Sequence, residues 1–164
     1  MDRSRTVTWQ DPLIGARAAQ GLSGLDYLRK MERGELPPPP FMDVLGFGIG
    51  EVEKGRVTFT LQPAEFHYNP IGSVHGGVIS TICDSAMGCA VHSVLDKGIG
   101  YTTLELKTNF LRPLASDTGE VVCEGKVIHV GGRVATAEAS LKDAAGKLYA
   151  HATTTCLVFR VRER

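Results

Sequence analysis

The sequence has no excess charge of either sign, because 18 lysines and arginines balance 18 aspartates and glutamates in a chain of 164 residues. Proteins that wrap nucleic acid or coat an anionic membrane need a strongly basic surface. The balance therefore argues against a nucleic-acid or membrane partner. A chain of this length is expected to form about one domain, with a core large enough to need no disulfide or metal.

Paired cysteines and a membrane-length apolar run are also missing. The four cysteines include no Cys-x-x-Cys pair, and three lie in strongly apolar segments, which is typical of buried thiols in a reducing compartment. The first residues, MDRSRTVTWQDP, contain no apolar signal core. The longest apolar run, residues 76–95, carries Asp84 near its middle, and a membrane span tolerates such a charge poorly. We therefore expect a soluble, cytoplasmic protein.

The sequence pattern divides the chain into an N-terminal segment, residues 1–40, and a domain, residues 41–164. In the first segment, apolar residues at every third position between 22 and 31 predict an amphipathic helix that starts at Ser23. Four consecutive prolines, residues 37–40, then predict an extended strap, since proline cannot continue a helix. This segment is expected to pack onto the domain rather than to carry the chemistry.

The domain has the order of elements that is typical of an α+β fold. Residues 46–61 alternate around a Glu-Lys-Gly turn, which predicts a β-hairpin. Residues 74–95 are apolar on nearly every side and too long for a strand, so they predict a buried helix. Four long strands are predicted at residues 100–111, 119–130, 133–143 and 147–161. The expected fold is one long, curved antiparallel sheet wrapped around one central buried helix.

Asp84 is the most unusual residue of the predicted helix. It is the only charged residue between Gly76 and Leu95, and no lysine or arginine lies within one turn of it. A buried carboxylate is costly unless it is paired or hydrogen-bonded. Asp84 therefore either caps or pairs with a group on a distant element, or serves as a functional acid.

The predicted helix begins with His75, Gly76 and Gly77, eight residues before Asp84. The first N–H groups of a helix lack partners, and paired glycines let a ligand approach the main chain, so this end suits a developing oxyanion. Eight helical residues span about 12 Å, whereas a reacting carbonyl must lie roughly 3 Å from both its donor and its base. If Gly76 and Asp84 both act, they come from different subunits of an obligate dimer with two shared sites.

The stretch Asn-Pro-Ile-Gly-Ser-Val-His-Gly-Gly and the acid after it resemble the hotdog-fold acyl-CoA thioesterases of the phenylacetate-pathway branch. The residues that match the family pattern are Asn69, Gly72, His75, Gly76, Gly77 and Asp84. A looser likeness extends over residues 41–161. The resemblance implies a hotdog fold, hydrolysis of an acyl-CoA to a free acid and coenzyme A, no cofactor, and a homodimer or homotetramer with shared sites.

The resemblance also implies a role for each catalytic residue. Gly76 would donate its backbone N–H to the thioester oxygen, and Asn69 would polarise or orient that group. Asp84 of the partner subunit would act as a general base on water or attack directly. Thr103 would hold the water, with Thr102 as its close rival.

Further residues are implied to hold the motif or the substrate. His75 is expected to anchor its loop rather than to transfer protons, and Gly77 beside it is expected to contact the substrate. Gly132 and Arg133 in a turn, with Arg112 at a strand end, would meet the phosphates of coenzyme A. It fits the sequence equally well that these two arginines are simply exposed to solvent and bind nothing.

Other chemistries fit the sequence less well. The five histidines show no His-x-His or His-Glu-x-x-His spacing, so no metal site is expected. A nucleophilic Cys83–histidine pair is disfavoured because Cys83 points about 100° away from Asp84 on a helix. Two alternatives stay open. One is a hydratase or dehydratase of the same fold, which Asn69-Pro70 faintly resembles, and the other is a non-catalytic acyl-CoA-binding module.

Overall fold

The structure, a computed structural model, describes residues 2–161. Three short helices precede the sheet: α1 (Leu13–Gly21), α2 (Gly24–Glu32) and α3 (Pro40–Leu45). The hairpin β1 (Phe47–Glu53) and β2 (Arg56–Leu61) leads through a short 3-10 turn, Glu65–His67, to helix α4 (Gly76–His92). Four strands follow: β3 (Ile99–Phe110), β4 (Val121–Val130), β5 (Val134–Asp143) and β6 (Leu148–Arg160).

The six strands form one sheet in the order β1-β2-β4-β5-β6-β3, and every neighbouring pair is antiparallel. Helix α4 packs across one face of this sheet and contacts β2 through β6. The predicted α+β hotdog fold is therefore confirmed, including the order of hairpin, helix and four long strands. Strands β1 and β3 form the two edges of the sheet.

Within a single chain, helix α4 is buried on the side that faces the sheet and is less buried on its other side. Its sheet-facing side chains are almost completely buried, with exposed fractions of 3% for Ile79 and 0% for Ile82 and Met87. Along the other side Asp84 is only partly buried and Gly77 is exposed. The sheet covers one side of the helix, so Asp84, which contacts the edge strand β3, lies at the border of the uncovered side.

Gly125 of β4 lets α4 approach the sheet closely. A Cβ atom added at Gly125 would lie 2.3 Å from the backbone carbonyl carbon and oxygen of Ala86 and 2.7 Å from the backbone nitrogen of Met87. These are main-chain atoms of a helix, which cannot move aside as a flexible side chain can. The close approach of α4 to β4 therefore depends on glycine, which has no side chain, at position 125.

We expect Gly125→Ala to lower the free energy of unfolding by about 1–3 kcal/mol or more, since it overpacks the core against rigid backbone. Urea unfolding measures the change as a shift of the midpoint. Gly21→Ala is the matched control, because a Cβ at Gly21 meets nothing within 4 Å. Equal midpoints for the two variants would contradict this account of the helix–sheet contact.

The N-terminal segment differs in detail from its prediction. The predicted start at Ser23 is confirmed, since its side chain accepts a hydrogen bond from the Asp26 N–H at 3.2 Å. Helix α1 was not predicted; its N-cap residue, Pro12, has no capping side chain, although the preceding Asp11 carboxylate accepts a hydrogen bond from the Leu13 N–H at 2.9 Å. Pro39 is extended as expected (φ −65°, ψ 142°), but Pro40 opens α3, since proline is well tolerated at the first helical position. The domain boundary at residue 40 remains a prediction.

Helix α2 is tied to the domain by backbone and core contacts. The Gly24 N–H donates to the Leu95 carbonyl at 3.0 Å, and Leu28 is 1% exposed. Among residues 2–161, no helix combines the length and apolar character that crossing a membrane requires.

Candidate active site

His75 caps the start of α4. Its backbone lies outside helical geometry (φ −61°, ψ 136°), and its imidazole Nδ1 accepts a hydrogen bond from the Gly77 N–H at 2.9 Å. The His75 N–H in turn donates to the His67 carbonyl at 2.8 Å. Both contacts anchor the first turn of the helix. The first of them already occupies the Gly77 N–H with a partner in the same chain.

The backbone N–H of Gly76 is the next donor at this helix end. It forms no hydrogen bond with any atom of residues 2–161. Gly76 lines a cavity of about 360 Å³ together with Asn69, Ser73, Phe110 and Arg112. A Cβ at Gly76 would lie 3.0 Å from Cζ of Phe110, so glycine lets this ring pack against the helix start. An unpaired donor at a helix N-terminus beside a cavity suits an oxyanion.

Asn69 shapes the loop before α4. Its Oδ1 accepts from the N–H groups of Ile71 at 3.0 Å and Ser73 at 3.2 Å, and its Nδ2 donates to Ser73 Oγ at 3.1 Å. Gly72 completes the turn in the left-handed region, with φ 86°. Asn69 therefore lines the cavity while its side chain holds the loop closed.

Asp84 lies on the open side of α4 beside the edge strand β3. The Thr103 hydroxyl donates to Asp84 Oδ1 at 2.9 Å. Thr102, the rival candidate, is exposed, and as the adjacent strand residue it points to the opposite face of the sheet. Within residues 2–161, no lysine, arginine or histidine forms an ion pair with Asp84. Within the described chain, the partner of Asp84 on a distant element is therefore a hydroxyl group and not a cation.

The groups around Asp84 are held in their neutral forms. Burial, and then the negative charge of Asp84, raise the pKa of Cys89 to about 12. Burial is also the largest cause that raises the pKa of Tyr101 well above its ordinary value, followed by Cys89 and Asp84. Cys83 is fully buried, with Sγ 3.8 Å from Sγ of Cys123, on the sheet side of the helix. A neutral Cys89 and an inaccessible Cys83 are poor nucleophiles.

Gly76 and Asp84 lie on one continuous helix, eight residues apart. At 1.5 Å per residue they are separated by about 12 Å along the axis. One carbonyl group therefore cannot contact both of them within a single chain.

Comparison with known proteins identifies the family of the chain. The family model described as the thioesterase superfamily matches residues 71–150, a range that includes Gly76, Asp84 and Thr103. A protein of Saccharolobus solfataricus that carries the name of an esterase is 35% identical over 122 residues, which cover 74% of this chain and 83% of that protein. The chain belongs to the thioesterase superfamily.

Solved structures agree with this membership of the thioesterase superfamily. A phenylacetic acid degradation-related protein from Ralstonia eutropha is 31% identical, with a TM-score of 0.72 over 80% of this chain and 98% of that one. A Streptococcus mutans protein bound to acetyl-CoA is 27% identical, with a TM-score of 0.64 over 71% of this chain and 91% of that one.

The candidate phosphate-binding residues of this superfamily member lie at two separate places. Arg112 lines the cavity beside Gly76, and its Nη1 donates to the Leu148 carbonyl at 2.5 Å. Gly132 and Arg133 form the exposed turn between β4 and β5, where the Arg133 carbonyl accepts from the Val158 N–H at 2.9 Å. Strand pairing puts this turn at the opposite end of the sheet from Arg112. One chain therefore does not bring the three residues together.

Sequence reasoning missed a stripe of contacts between α4 and β3. Every fourth residue of the helix meets a residue of the strand. The contacts are Gly76 with Phe110, Ser80 with Thr108 at 3.2 Å, Asp84 with Thr103 at 2.9 Å, and Gly88 with Tyr101. We call these eight residues the α4–β3 stripe. Its signal in the sequence is the spacing of four between Gly76, Ser80, Asp84 and Gly88, which places them on one helix face.

Proposed function

We propose that the protein hydrolyses acyl-CoA thioesters to a free acid and coenzyme A. The observation that supports this most directly is that one helix bears two complementary groups: a Gly76 N–H that has no partner among residues 2–161, and a partly exposed carboxylate at Asp84. Membership of the thioesterase superfamily supports the reaction class. The acetyl-CoA bound by the Streptococcus mutans protein supports a coenzyme A thioester as substrate.

The two groups are proposed to act in a shared site. Because they lie about 12 Å apart along one helix, a second copy with its α4 antiparallel to the first would bring Gly76 of one chain to Asp84 of the other. Such a two-fold arrangement creates two equivalent sites. We therefore propose a homodimer as the smallest active unit, which is also compatible with a homotetramer.

In this site Asp84 acts as a general base. Thr103 donates to Oδ1, which leaves Oδ2 free to take a proton from a water molecule. The water oxygen attacks the thioester carbon, and the carbonyl oxygen becomes an oxyanion that the Gly76 N–H stabilises. The carbon–sulfur bond then breaks, the acid is released, and the coenzyme A sulfur takes up the proton. Direct attack by Oδ2 on the same carbon is the alternative use of this carboxylate.

The remaining candidate residues are proposed to support binding. Asn69 and His75 keep the loop and the first turn of α4 in place around the Gly76 donor. Arg112 beside the cavity is the candidate for the coenzyme A phosphates nearest to that donor, with Gly132 and Arg133 contributed from elsewhere in the dimer. Guanidinium groups suit phosphate because they present several donors in a fixed plane.

The Gly76 donor can be removed without removing its neighbours. Gly76→Pro deletes the N–H at a position where proline is tolerated, and the extended backbone of His75 (ψ 136°) accommodates a following proline. Gly76→Ala is the matched control, since it adds the same Cβ beside Phe110 but keeps the N–H. We expect kcat of the proline variant to be about 10²–10³-fold below that of the alanine variant. Thiol release from aromatic and straight-chain acyl-CoAs, followed with a thiol-reactive dye, measures both.

Two results would contradict the proposal. Equal kcat values for the two folded variants would remove Gly76 from the mechanism. Hydration of an enoyl-CoA without thiol release would instead indicate a hydratase of the same fold. The structure does not favour that alternative, because His75 Nδ1 already accepts a hydrogen bond from the Gly77 N–H, which gives this imidazole a structural partner at the start of α4.

A further inference from the structure

Tyr101 occupies one end of the α4–β3 stripe, one helical turn beyond Asp84. A Cβ at Gly88 would lie 2.6 Å from Oη of Tyr101 and 3.0–3.1 Å from its Cε2 and Cζ. The ring therefore lies directly on the helix backbone, in the space that any other residue at position 88 would fill. Gly88 is buried, so this contact closes the gap between α4 and β3 at that level.

The ring of Tyr101 is supported from behind by two further rings. The His92 ring lies 5.7 Å from that of Tyr101, and Tyr27 of α2 lies 5.6 Å from His92. Burial lowers the pKa of His92, which favours the neutral imidazole in this stack. The position of Tyr101 is thus fixed by α2, α4 and β3 together, as a rigid wall requires.

The two sides of Asp84 along the stripe differ in polarity. Toward the start of the helix, the Ser80 hydroxyl donates to Thr108 Oγ1 at 3.2 Å and joins helix to strand through polar groups. Toward the end of the helix, the surface beside the carboxylate is the aromatic ring of Tyr101. An acyl group whose carbonyl lies at Asp84 gains from contact with an apolar surface. The ring of Tyr101 offers that surface, and because the ring lies against the helix backbone at Gly88, it leaves no gap between α4 and β3 at that level.

We propose that Tyr101 is the specificity-determining residue that limits the length of the acyl group, with Gly88 as the position that makes room for its ring. This inference rests on the proposed acyl-CoA hydrolysis at Asp84. The Tyr101 hydroxyl forms no hydrogen bond within residues 2–161, so the phenol is not held there by a polar partner of its own. The ring, rather than the hydroxyl, sets the limit.

The test compares Tyr101→Ala with Tyr101→Phe, which keeps the ring. The readout is the ratio of kcat/KM for decanoyl-CoA to that for butyryl-CoA, measured by thiol release. We expect Tyr101→Ala to raise this ratio at least about tenfold, because each methylene that gains contact is worth on the order of tenfold or more. Tyr101→Phe is expected to keep the wild-type ratio. An unchanged ratio in folded Tyr101→Ala, or an equal change in Tyr101→Phe, would overturn the inference.

A second variant and a binding measurement keep the inference separate from folding and from catalysis. Gly88→Ala displaces the ring of Tyr101 from its position on the helix, so it should change the same ratio; no change would count against the proposal. Relative affinities for non-hydrolysable decanoyl- and butyryl-CoA analogues, measured by calorimetry, should shift in the same directions. Absence of thiol release from any acyl-CoA by wild type would refute the proposed function, whereas unshifted affinities would refute the role of Tyr101.

Discussion

Replacement of Asp84 by asparagine is expected to lower kcat for acyl-CoA hydrolysis by about 10²–10⁴-fold, the contribution of a well-placed general base. The amide oxygen of asparagine can still accept the hydrogen bond from Thr103 that now reaches Oδ1 at 2.9 Å. The amide cannot take a proton from water, nor can it attack the thioester as a carboxylate would. The side chain is only partly buried, so the substitution should leave the fold intact.

The matched control for this experiment is Asp96→Asn, the same chemical change just after α4. Asp96 is exposed, and its side chain forms no hydrogen bond or ion pair within residues 2–161. Thiol release is compared for wild type and both variants across the acyl-CoA panel. A folded Asp84→Asn variant with wild-type kcat would show that Asp84 is structural. Tight acyl-CoA binding with no thiol release by wild type would instead establish the non-catalytic binding module.

Mixing Asp84→Asn chains with Gly76→Pro chains is expected to recover about a quarter of wild-type activity from two nearly inactive proteins. With random pairing, about half of the dimers contain one chain of each kind. In such a dimer one shared site carries both substitutions, while the other combines an intact Asp84 with an intact Gly76. Half of the dimers with half of their sites active leaves a quarter of the sites working.

Co-refolding of the two variants from denaturant at equal concentration ensures that the chains exchange before thiol release is measured. The control mixes Asp84→Asn chains with chains that carry both substitutions, since no pairing of these restores an intact Asp84. Activity in the first mixture alone would support an active site built from two subunits. No recovery in either mixture, from proteins that have refolded and formed oligomers, would contradict the shared site.

The register of β3 could not be predicted from the sequence. Thr103 pairs with Cys156 and Glu105 with Thr155, so Leu104 is an extra residue that bulges from the strand. The bulge reverses which residues face α4 beyond it. Thr103 faces the helix before the bulge, whereas Thr108 and Phe110 face it afterwards. Simple alternation along β3 would have placed these last two residues on the opposite face.

The contacts of Gly125 and Tyr101 likewise depend on distant parts of the chain. Position 125 requires glycine because it contacts the backbone of α4, which lies about 40 residues earlier in the chain. The neighbouring residues of β4 do not indicate this contact. Tyr101 is an ordinary strand residue in the sequence, and its place beside Asp84 follows from the pairing of an edge strand with one helix face. Neither local propensity nor periodicity carries such information.

Local signals in the sequence were sufficient for the strands and the central helix of the domain, and for naming the candidate residues of the site. The long apolar run predicts α4, His75-Gly76-Gly77 predicts its start, and the single acid within that run singles out Asp84, because each of these is a pattern of neighbouring residues. Tertiary structure alone placed Thr103 rather than Thr102 against Asp84, and it placed Phe110 and Tyr101 against the same face of α4. These outcomes depend on strand register and helix packing, which join residues far apart in the chain.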